Sequence, residues 1–210
     1  MLLENMMTKN VLTATVDTTV ATALEVIREK NIRHLPVVDQ AGALVGMVND
    51  RDLRAVVNAA RDVAQDWQTK KVGEIMHPSE QNAHPLDHID DAARLLYEYK
   101  LSALPVIQNG ELVGIVTATD VLRAFVELLG VTRPGTLLEV ELPDEPGMLA
   151  EITRIVSDFG ININSIYMLA GSRPEQRQIA LRLEAFDLGP IISALNKAGC
   201  KVVWPIVKEY

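Results

Sequence analysis

The sequence contains an internal repeat, and this repeat constrains the fold more than any other feature. Residues 16–57 read VDTTVATALEVIREKNIRHLPVVDQAGALVGMVNDRDLRAVV, and residues 86–126 read LDHIDDAARLLYEYKLSALPVIQNGELVGIVTATDVLRAFV. The L-P-V core, the L-V-G triplet and one aspartate, Asp52 or Asp120, recur in the same order. Such self-similarity means that one structural unit is built twice.

Each repeat is predicted to fold as β-α-β-β-α. Apolar residues at i, i+3, i+4 and i+7 predict an amphipathic helix from Val20 and another from Ile89. We expect the N-cap oxygen to come from Asp17 or Thr18 in the first copy and from Asp87 in the second. The L-P-V strand, a turn and a returning strand follow, and a second helix begins near the repeated aspartate. A short extended segment precedes each copy.

The pattern changes after residue 131. A stretch with Pro and Gly predicts a linker over residues 132–136, so we expect one repeat in 1–64, the other in 65–131 and a further domain in 137–210. Its predicted order is β-α-β-β-α-β, the ferredoxin-like arrangement, within an α+β fold class. The elements are strand Leu137–Leu142, helix Met148–Phe159 with Leu149, Ile152, Ile155 and Val156 on one face, a strand from Ile161, strand Gln178–Leu183, helix Pro190–Ala198 and strand Lys201–Val207.

Composition and charge exclude several classes of protein. The chain has 210 residues, of which 48% are hydrophobic, and this excludes a disordered or fibrous protein. Its net charge of −8 divides into −6 for residues 1–132 (12 basic, 18 acidic) and −2 for residues 133–210 (8 basic, 10 acidic). Neither part has the basic surplus that nucleic acid binding requires. With one cysteine, Cys200, and without a spanning apolar run or signal peptide, we predict a cytoplasmic protein with no membrane contact.

The motifs carry a resemblance to two known families. The L-P-V core and the G-I-V-T-x-x-D stretch at Gly114–Asp120 resemble a tandem pair of cystathionine-beta-synthase (CBS) motifs. L-P-D-E-P-G-M-L-A-E-I at Leu142–Ile152 and F-G-I-N-I at Phe159–Ile163 resemble an ACT domain. The combined architecture is similar to the acetoin utilisation regulatory proteins. The resemblance implies a homodimer, because both modules bury apolar faces across two-fold interfaces.

The residues at the start of each second helix have two interpretations. Thr117 with Asp120, and Asn49 with Asp52, fit a capping box. A helix N-terminus also attracts anions, and a carboxylate there can accept hydrogen bonds from a ribose diol. The CBS resemblance implies the second role, with an adenosyl compound between the two motifs. Its candidate residues are Arg33, His34, Pro36, Arg51, Asp52, Ala83, Ala103, Pro105, Thr117, Thr119 and Asp120.

The basic candidates are all in the first repeat. We therefore predict that one strong nucleotide site joins Arg33, His34 and Arg51 to Thr117 and Asp120. The opposite site, around Asp52, is predicted to lack basic partners and to bind weakly or not at all.

The third domain has its own candidate site. Asp144-Glu145-Pro146-Gly147 is interpreted either as a turn that caps the next helix or as a ligand loop. In the second interpretation Gly147 allows close approach, and free N–H groups at Met148 and Leu149 bind a carboxylate. Asp144 accepts from an ammonium group, with Asn162 beside it. The ACT resemblance implies an amino acid bound there, between paired subunits.

Metal and catalytic chemistry are not indicated. His77, His84 and His88 are close in sequence, but two precede prolines and no cysteine completes a ligand set, so we expect no metal site. We find no nucleophile with a base and no paired acids, and Cys200 is expected to be a packed or edge thiol. We predict a non-catalytic regulatory sensor with no required cofactor. Its candidate ligands are AMP, ADP, ATP, S-adenosylmethionine or NAD, and an amino acid. The alternative is a ligand-free dimerisation scaffold that presents a surface to a client metabolic enzyme.

Overall fold

The structure, a computed structural model, describes residues 1–63 and 66–205, without the side chains of residues 61–63. The chain forms two compact units, Met1–Leu122 and Arg123–Tyr210, and each is described by itself. The division lies ten residues before the linker predicted over 132–136.

The first repeat has the predicted order of elements. Its elements are β1 (Ala14–Thr15), α1 (Val20–Glu29), β2 (His34–Val38), β3 (Leu44–Asn49) and α2 (Asp50–Val63). Strand β2 pairs parallel with β1 and antiparallel with β3. The buried side chains of this repeat are apolar and come from every element: Ala14, Val20, Ala23, Ile27, Leu35, Val37, Val48 and Leu53.

The second repeat has the same helices and hairpin. Its elements are α3 (Ile89–Glu98), β4 (Ala103–Gln108), β5 (Glu111–Thr117) and α4 (Ala118–Leu128). The turn between β4 and β5 places Asn109 at φ 53° and Gly110 at φ 84°, as an Asn-Gly hairpin turn requires. The extended segment expected before α3 is reduced to one bridge, between Ala83 and Val106.

The N-cap of α1 differs from the prediction by one or two residues. Thr19 caps the helix, because its Oγ1 accepts a hydrogen bond from the Thr22 N–H at 3.2 Å. The prediction of Asp17 or Thr18 is therefore wrong. Thr18 instead stabilises the preceding turn, where its hydroxyl accepts from the Thr15 N–H at 2.9 Å.

The N-cap predicted for α3 is also wrong. His88 occupies the cap position, and its side chain makes no capping hydrogen bond. The Asp87 carboxylate takes part in the preceding turn instead, since its Oδ2 accepts a hydrogen bond from the His84 N–H at 2.7 Å. The carboxylate thus closes the turn that leads into the helix.

The segment that leads into each repeat packs on the other repeat. Thr8, from the start of the chain, exchanges two backbone hydrogen bonds of 3.0 Å with Ile115 of β5. His77, which precedes the second repeat, exchanges two of 2.9 Å with Met47 of β3. The two repeats are therefore interlocked rather than arranged one after the other.

This exchange explains the repeated glycine of the L-V-G triplet. A Cβ at Gly46 would lie 2.8 Å from the carbonyl oxygen of His77 and 2.8 Å from Met76 Sδ. A Cβ at Gly114 would overlap Met7 Sδ. At Gly46 the obstacle includes a backbone atom, so this strand accepts the incoming segment only because the glycine has no side chain, whereas at Gly114 the obstacle is a flexible side chain.

The C-terminal unit has the predicted ferredoxin-like topology. Its elements are β6 (Thr136–Pro143), α5 (Met148–Asp158), β7 (Ile163–Ala170), β8 (Gln176–Leu183), α6 (Gly189–Lys197) and β9 (Lys201–Trp204). The strand order is β7-β8-β6-β9, and all neighbours are antiparallel. Thr136, predicted as linker, is already in β6. The last residues predicted for the final strand, Ile206 and Val207, lie outside the described residues.

The core of this unit lies between the sheet and its helices. Ile152, Ile155 and Val156 are buried against the strands, but Leu149 is 41% exposed. The prediction that Leu149 shares the apolar face is wrong, and Met148 packs against the core in its place. Cys200 is 3% exposed within the same core, and its burial, together with the charge of Glu151, raises the pKa of the thiol.

Among the described residues, no helix is long and apolar enough to span a bilayer.

Candidate functional site

The starts of α2 and α4 carry matching capping boxes. Asp120 Oδ2 accepts from the Thr117 N–H at 2.9 Å and from its hydroxyl at 2.7 Å, and the Asp120 N–H donates to Thr117 Oγ1 at 3.2 Å. In the first copy, the Asn49 N–H donates to Asp52 Oδ2 at 3.1 Å, and the Asp52 N–H donates to Asn49 Oδ1 at 3.0 Å. The capping interpretation is therefore correct for both, and each box also holds one carboxylate at a helix N-terminus.

A cavity of about 340 Å³ opens beside the Asp52 box, within the unit formed by the two repeats. Strand β3, the exchanged segment and the start of β4 form its walls, and their lining residues include His34, Met47, Asn49, His77, Pro78, Glu80, Lys100, Ser102, Ala103 and Pro105. Asp52 does not line the cavity itself; it is half-buried, and its Oδ1 lies 3.5 Å from Nε2 of His77, which does. This volume lies in the range of small-molecule sites, about 300–1,000 Å³.

His34 belongs to this cavity. Its Nε2 shares a hydrogen bond of 2.7 Å with Ser102 Oγ, so the side chain joins the two repeats. Burial lowers the pKa of His34, the positive charge of Arg33 lowers it further, and only Asp52 opposes them. The imidazole is therefore neutral at pH 7. The side chain lines the cavity on the Asp52 side, and its role in the Thr117 and Asp120 site stays a prediction.

A second cavity, of about 510 Å³, continues from the first. The two share His34, Asn49, Lys100, Leu101 and Ser102, and the second adds Arg33, Asp50 and Arg51. Basic side chains therefore line the second cavity, and the weak or vacant site around Asp52 stays a prediction. The exchanged segment, invisible to a comparison of residues 16–57 with 86–126, contributes His77, and the α3–β4 turn contributes Lys100.

Arg33 contacts the helix that begins at the opposite box. Its guanidinium donates a hydrogen bond of 3.1 Å to the hydroxyl of Thr119, in the first turn of α4.

Ala103 and Pro105 line the first cavity. Ala83 is buried, and its N–H donates to the Pro105 carbonyl, so it supports the wall. Pro36 is buried within β2.

The candidate residues of the C-terminal unit are not all together. Asp144 pairs with Arg177 at 2.8 Å, where β6 ends, whereas Asn162 donates to Glu184 at 3.2 Å, where β6 begins. Eight residues of strand separate the two ends, which corresponds to about 25 Å. The prediction that Asn162 lies beside Asp144 is therefore wrong within one chain. Gly147 (φ 97°) begins α5, Met148 is half-buried and Leu149 is exposed.

Glu141 is a buried charge that the sequence patterns did not reveal. It is 5% exposed, and its carboxylate accepts from the Ser172 N–H at 2.8 Å and from Lys201 Nζ at 3.2 Å. Hydrogen bonds from Ser172, then from Lys201, lower its pKa to about 2. Glu141 thus ties the β7–β8 turn to the last strand.

The histidines singled out in the sequence do not converge. His77 lies beside Asp52, while His84 Nδ1 accepts from the Leu86 N–H and His88 occupies the cap of α3. Within residues 1–63 and 66–205, no three His, Cys, Asp or Glu side chains are placed to hold a metal ion.

Comparison with known families agrees with this architecture. The CBS domain model matches residues 3–59 and 72–127, which is more than half of the chain. The chain belongs to the CBS-domain family. The ACT domain model matches residues 136–200, so the tandem CBS domains are followed by a C-terminal ACT domain. The CBS matches begin at the exchanged segments, before the repeat that the motifs delimit.

Three similar proteins have solved structures that match the CBS pair. The chain is 36% identical to CBSX2 of Arabidopsis thaliana over 143 aligned residues. The alignment covers 57% of this chain and 60% of CBSX2. A structure of CBSX2 in complex with AMP matches with a TM-score of 0.53, over 63% of this chain and 98% of that one. The CBS pair of protein MJ0100, solved in complex with 5′-methylthioadenosine and S-adenosyl-L-methionine, is 32% identical to this chain. It matches with a TM-score of 0.51, over 60% of this chain and 95% of that one. AcuB of Vibrio cholerae is 28% identical with a TM-score of 0.54, over 63% and 95%.

Proposed function

We propose that this chain is a non-catalytic regulatory protein whose CBS pair binds an adenosyl nucleotide at Asp52. The observation that carries the proposal is the cavity of about 340 Å³ beside the Asn49 and Asp52 capping box. Two of its relatives, CBSX2 and MJ0100, are known in complex with AMP or other adenosyl compounds. Their ligands have the size that this cavity accepts.

The residues suit the parts of such a ligand. Met47, Ala103 and Pro105 offer apolar surface to a purine ring. Asp52 lies 3.5 Å from His77, which lines the cavity, and it keeps acceptor capacity, because a carboxylate offers about four lone-pair positions. A ribose diol can donate to it, as it does to the acidic residue of dinucleotide folds. The neutral His34 and Ser102 complete a wall that both repeats build.

Regulation follows because both repeats contribute to one cavity. A ligand that binds one relative arrangement of the repeats better than another shifts the equilibrium toward it. The ACT domain is proposed to bind an amino acid at Asp144 and Gly147, with Asn162 supplied by a second chain of a homodimer. A cytoplasmic role in acetoin utilisation or central carbon metabolism, acting on a client enzyme, completes the proposal.

Thermal unfolding with and without ligand tests the nucleotide site. We would add AMP, ATP, NAD, S-adenosylmethionine and methylthioadenosine separately to the full chain. A ligand at 100 times its dissociation constant stabilises the folded state by about 2.7 kcal/mol. The matched variants are Asp52→Asn and Asp120→Asn, since Asn keeps an oxygen for the cap but removes the charge.

The two variants separate the outcomes. We expect a shift for at least one adenosyl compound, lost in Asp52→Asn and kept in Asp120→Asn. A shift lost only in Asp120→Asn would move the site to the opposite box. The absence of any shift would refute the proposal and favour a ligand-free scaffold that presents a surface to a client enzyme.

A further inference from the structure

A methionine in each exchanged segment covers the repeated glycine in the hairpin of the other repeat. A Cβ at Gly46 would lie 2.8 Å from Met76 Sδ and 3.2 Å from its Cγ. At Gly114 the three atoms nearest to such a Cβ are Sδ, Cγ and Cε of Met7. Each thioether therefore fills the space that a side chain would occupy on the strand, and its sulfur packs directly on the glycine.

The surroundings of Met76 are more restrictive than those of Met7. The point that lies 2.8 Å from Met76 Sδ also lies 2.8 Å from the carbonyl oxygen of His77. That carbonyl accepts a hydrogen bond of 2.9 Å from the Met47 N–H, which holds it over the strand. Met76 also packs against the apolar core of the first repeat. Its sulfur thus has a glycine, a carbonyl oxygen and apolar side chains as neighbours.

Met76 is nevertheless within reach of a small oxidant. The residue is half-buried, and the neighbouring Glu74 and His77 are exposed. Hydrogen peroxide converts such a thioether into a sulfoxide, and sulfoxide reductases restore it. The sulfur attacks one peroxide oxygen, the O–O bond breaks, and the departing hydroxide takes the remaining proton and leaves as water. The sulfur is oxidised by two electrons, and the peroxide is reduced.

We propose that Met76 is a redox-sensitive site, at which oxidation by hydrogen peroxide loosens the exchanged segment from the strand that it covers. A sulfoxide oxygen accepts hydrogen bonds, but neither the Cα–H group of Gly46 nor the apolar core donates a strong one. The carbonyl oxygen of His77 repels it, so the oxidised side chain leaves Gly46 for the solvent. Since His77 lines the first cavity, the change alters that cavity as well.

Urea unfolding of the full chain, before and after treatment with hydrogen peroxide and without any nucleotide, tests the proposal. Peptide mapping by mass spectrometry reports which of the seven methionines carry an added oxygen. We expect oxidation of Met76 to raise the unfolding equilibrium constant about tenfold, the usual size of the effect when a polar group is buried without a hydrogen-bond partner. A sulfoxide reductase with a thiol reductant should restore the original urea midpoint.

Substitutions assign the effect to one sulfur. Met76→Leu keeps the apolar volume but has no sulfur to oxidise, so peroxide should no longer lower its stability. Met7→Leu is the matched control: a sulfoxide at Met7 can rotate off Gly114, so this variant should lose as much stability on oxidation as the wild type. Met76→Gln introduces a polar side chain without an oxidant and should be less stable than Met168→Gln, because Met168 is 54% exposed.

Several results would overturn the proposal. One is an equal loss of stability after peroxide treatment in the wild type and in Met76→Leu, and another is a loss that disappears in Met7→Leu. A peptide map in which Met76 stays reduced while Met168 is fully oxidised would show that the oxidant does not reach the site. A loss that the reductase does not reverse would indicate damage instead of a switch. Because no nucleotide is present, none of these results depends on the proposed ligand site.

Discussion

The close contact between Gly46 and the exchanged segment allows a quantitative test of the interlocked repeats. In Gly46→Ala the new Cβ lies 2.8 Å from the carbonyl oxygen of His77, whereas ordinary contacts begin at 3.4 Å. The two segments must therefore separate by about 0.6 Å (3.4 − 2.8). His77 cannot yield freely, because its carbonyl and N–H both bond to Met47 at 2.9 Å. Overpacking of this kind costs about 1–3 kcal/mol.

Urea unfolding followed by tryptophan fluorescence measures this cost. Trp67 packs against the core of the first repeat, and Trp204→Phe removes the other tryptophan from the signal. Gly114→Ala is the matched control, because the three atoms nearest its Cβ belong to the side chain of Met7, which can rotate away. We expect a clearly larger loss for Gly46→Ala than for Gly114→Ala. If Gly46→Ala lost less than about 0.5 kcal/mol, the usual size of a surface effect, the exchange would not be as tight as described.

Three further predictions concern stability and assembly. Glu141→Gln should reduce the dependence of the melting temperature on acid pH: with a folded pKa of about 2 against an ordinary 4.5, the carboxylate stabilises the fold above pH 4.5 and loses this contribution as pH falls toward 2. A melting curve as acid-sensitive as that of the wild type would contradict this. Leu53→Ala, at a fully buried position, should cost about 2–5 kcal/mol in urea unfolding, and the exposed Leu122→Ala only about 0.5 or less. Light scattering at micromolar concentration should give twice the chain mass of 23.1 kDa, and a value of 23.1 kDa would refute the homodimer.

Local patterns predicted most elements because these elements depend on local physics. A few neighbouring residues are enough to predict the apolar face of α1, the turn at Asn109-Gly110 and the end of α5 at Gly160. Cap positions were less predictable. Thr18 and Thr19 are adjacent and chemically equal, and only the path of the preceding turn decides which hydroxyl reaches the helix.

Neither the exchange of segments nor the position of the cleft could be predicted without the tertiary structure. The sequences around Met7 and Met76 are similar, and the neighbouring residues do not indicate which repeat each segment packs on. This choice brings His77 to Asp52, so the sequence patterns assigned no basic group to that side. The separation of Asp144 from Asn162 is likewise a matter of strand register.

A duplicated fold places the two capping boxes in chemically different surroundings. The capping geometry is almost the same at Asp52 and Asp120, because it depends on the backbone, on the aspartate that recurs, and on an acceptor oxygen that both Asn49 and Thr117 supply. The surrounding positions do not recur: Arg33 and His34 correspond to Ser102 and Ala103, and Arg51 to Thr119. Arg33, Arg51, Ser102 and Thr119 are exposed, so substitutions at these positions alter the charge without disturbing the core. Differences between the copies, more than the motifs they share, therefore distinguish the two boxes chemically.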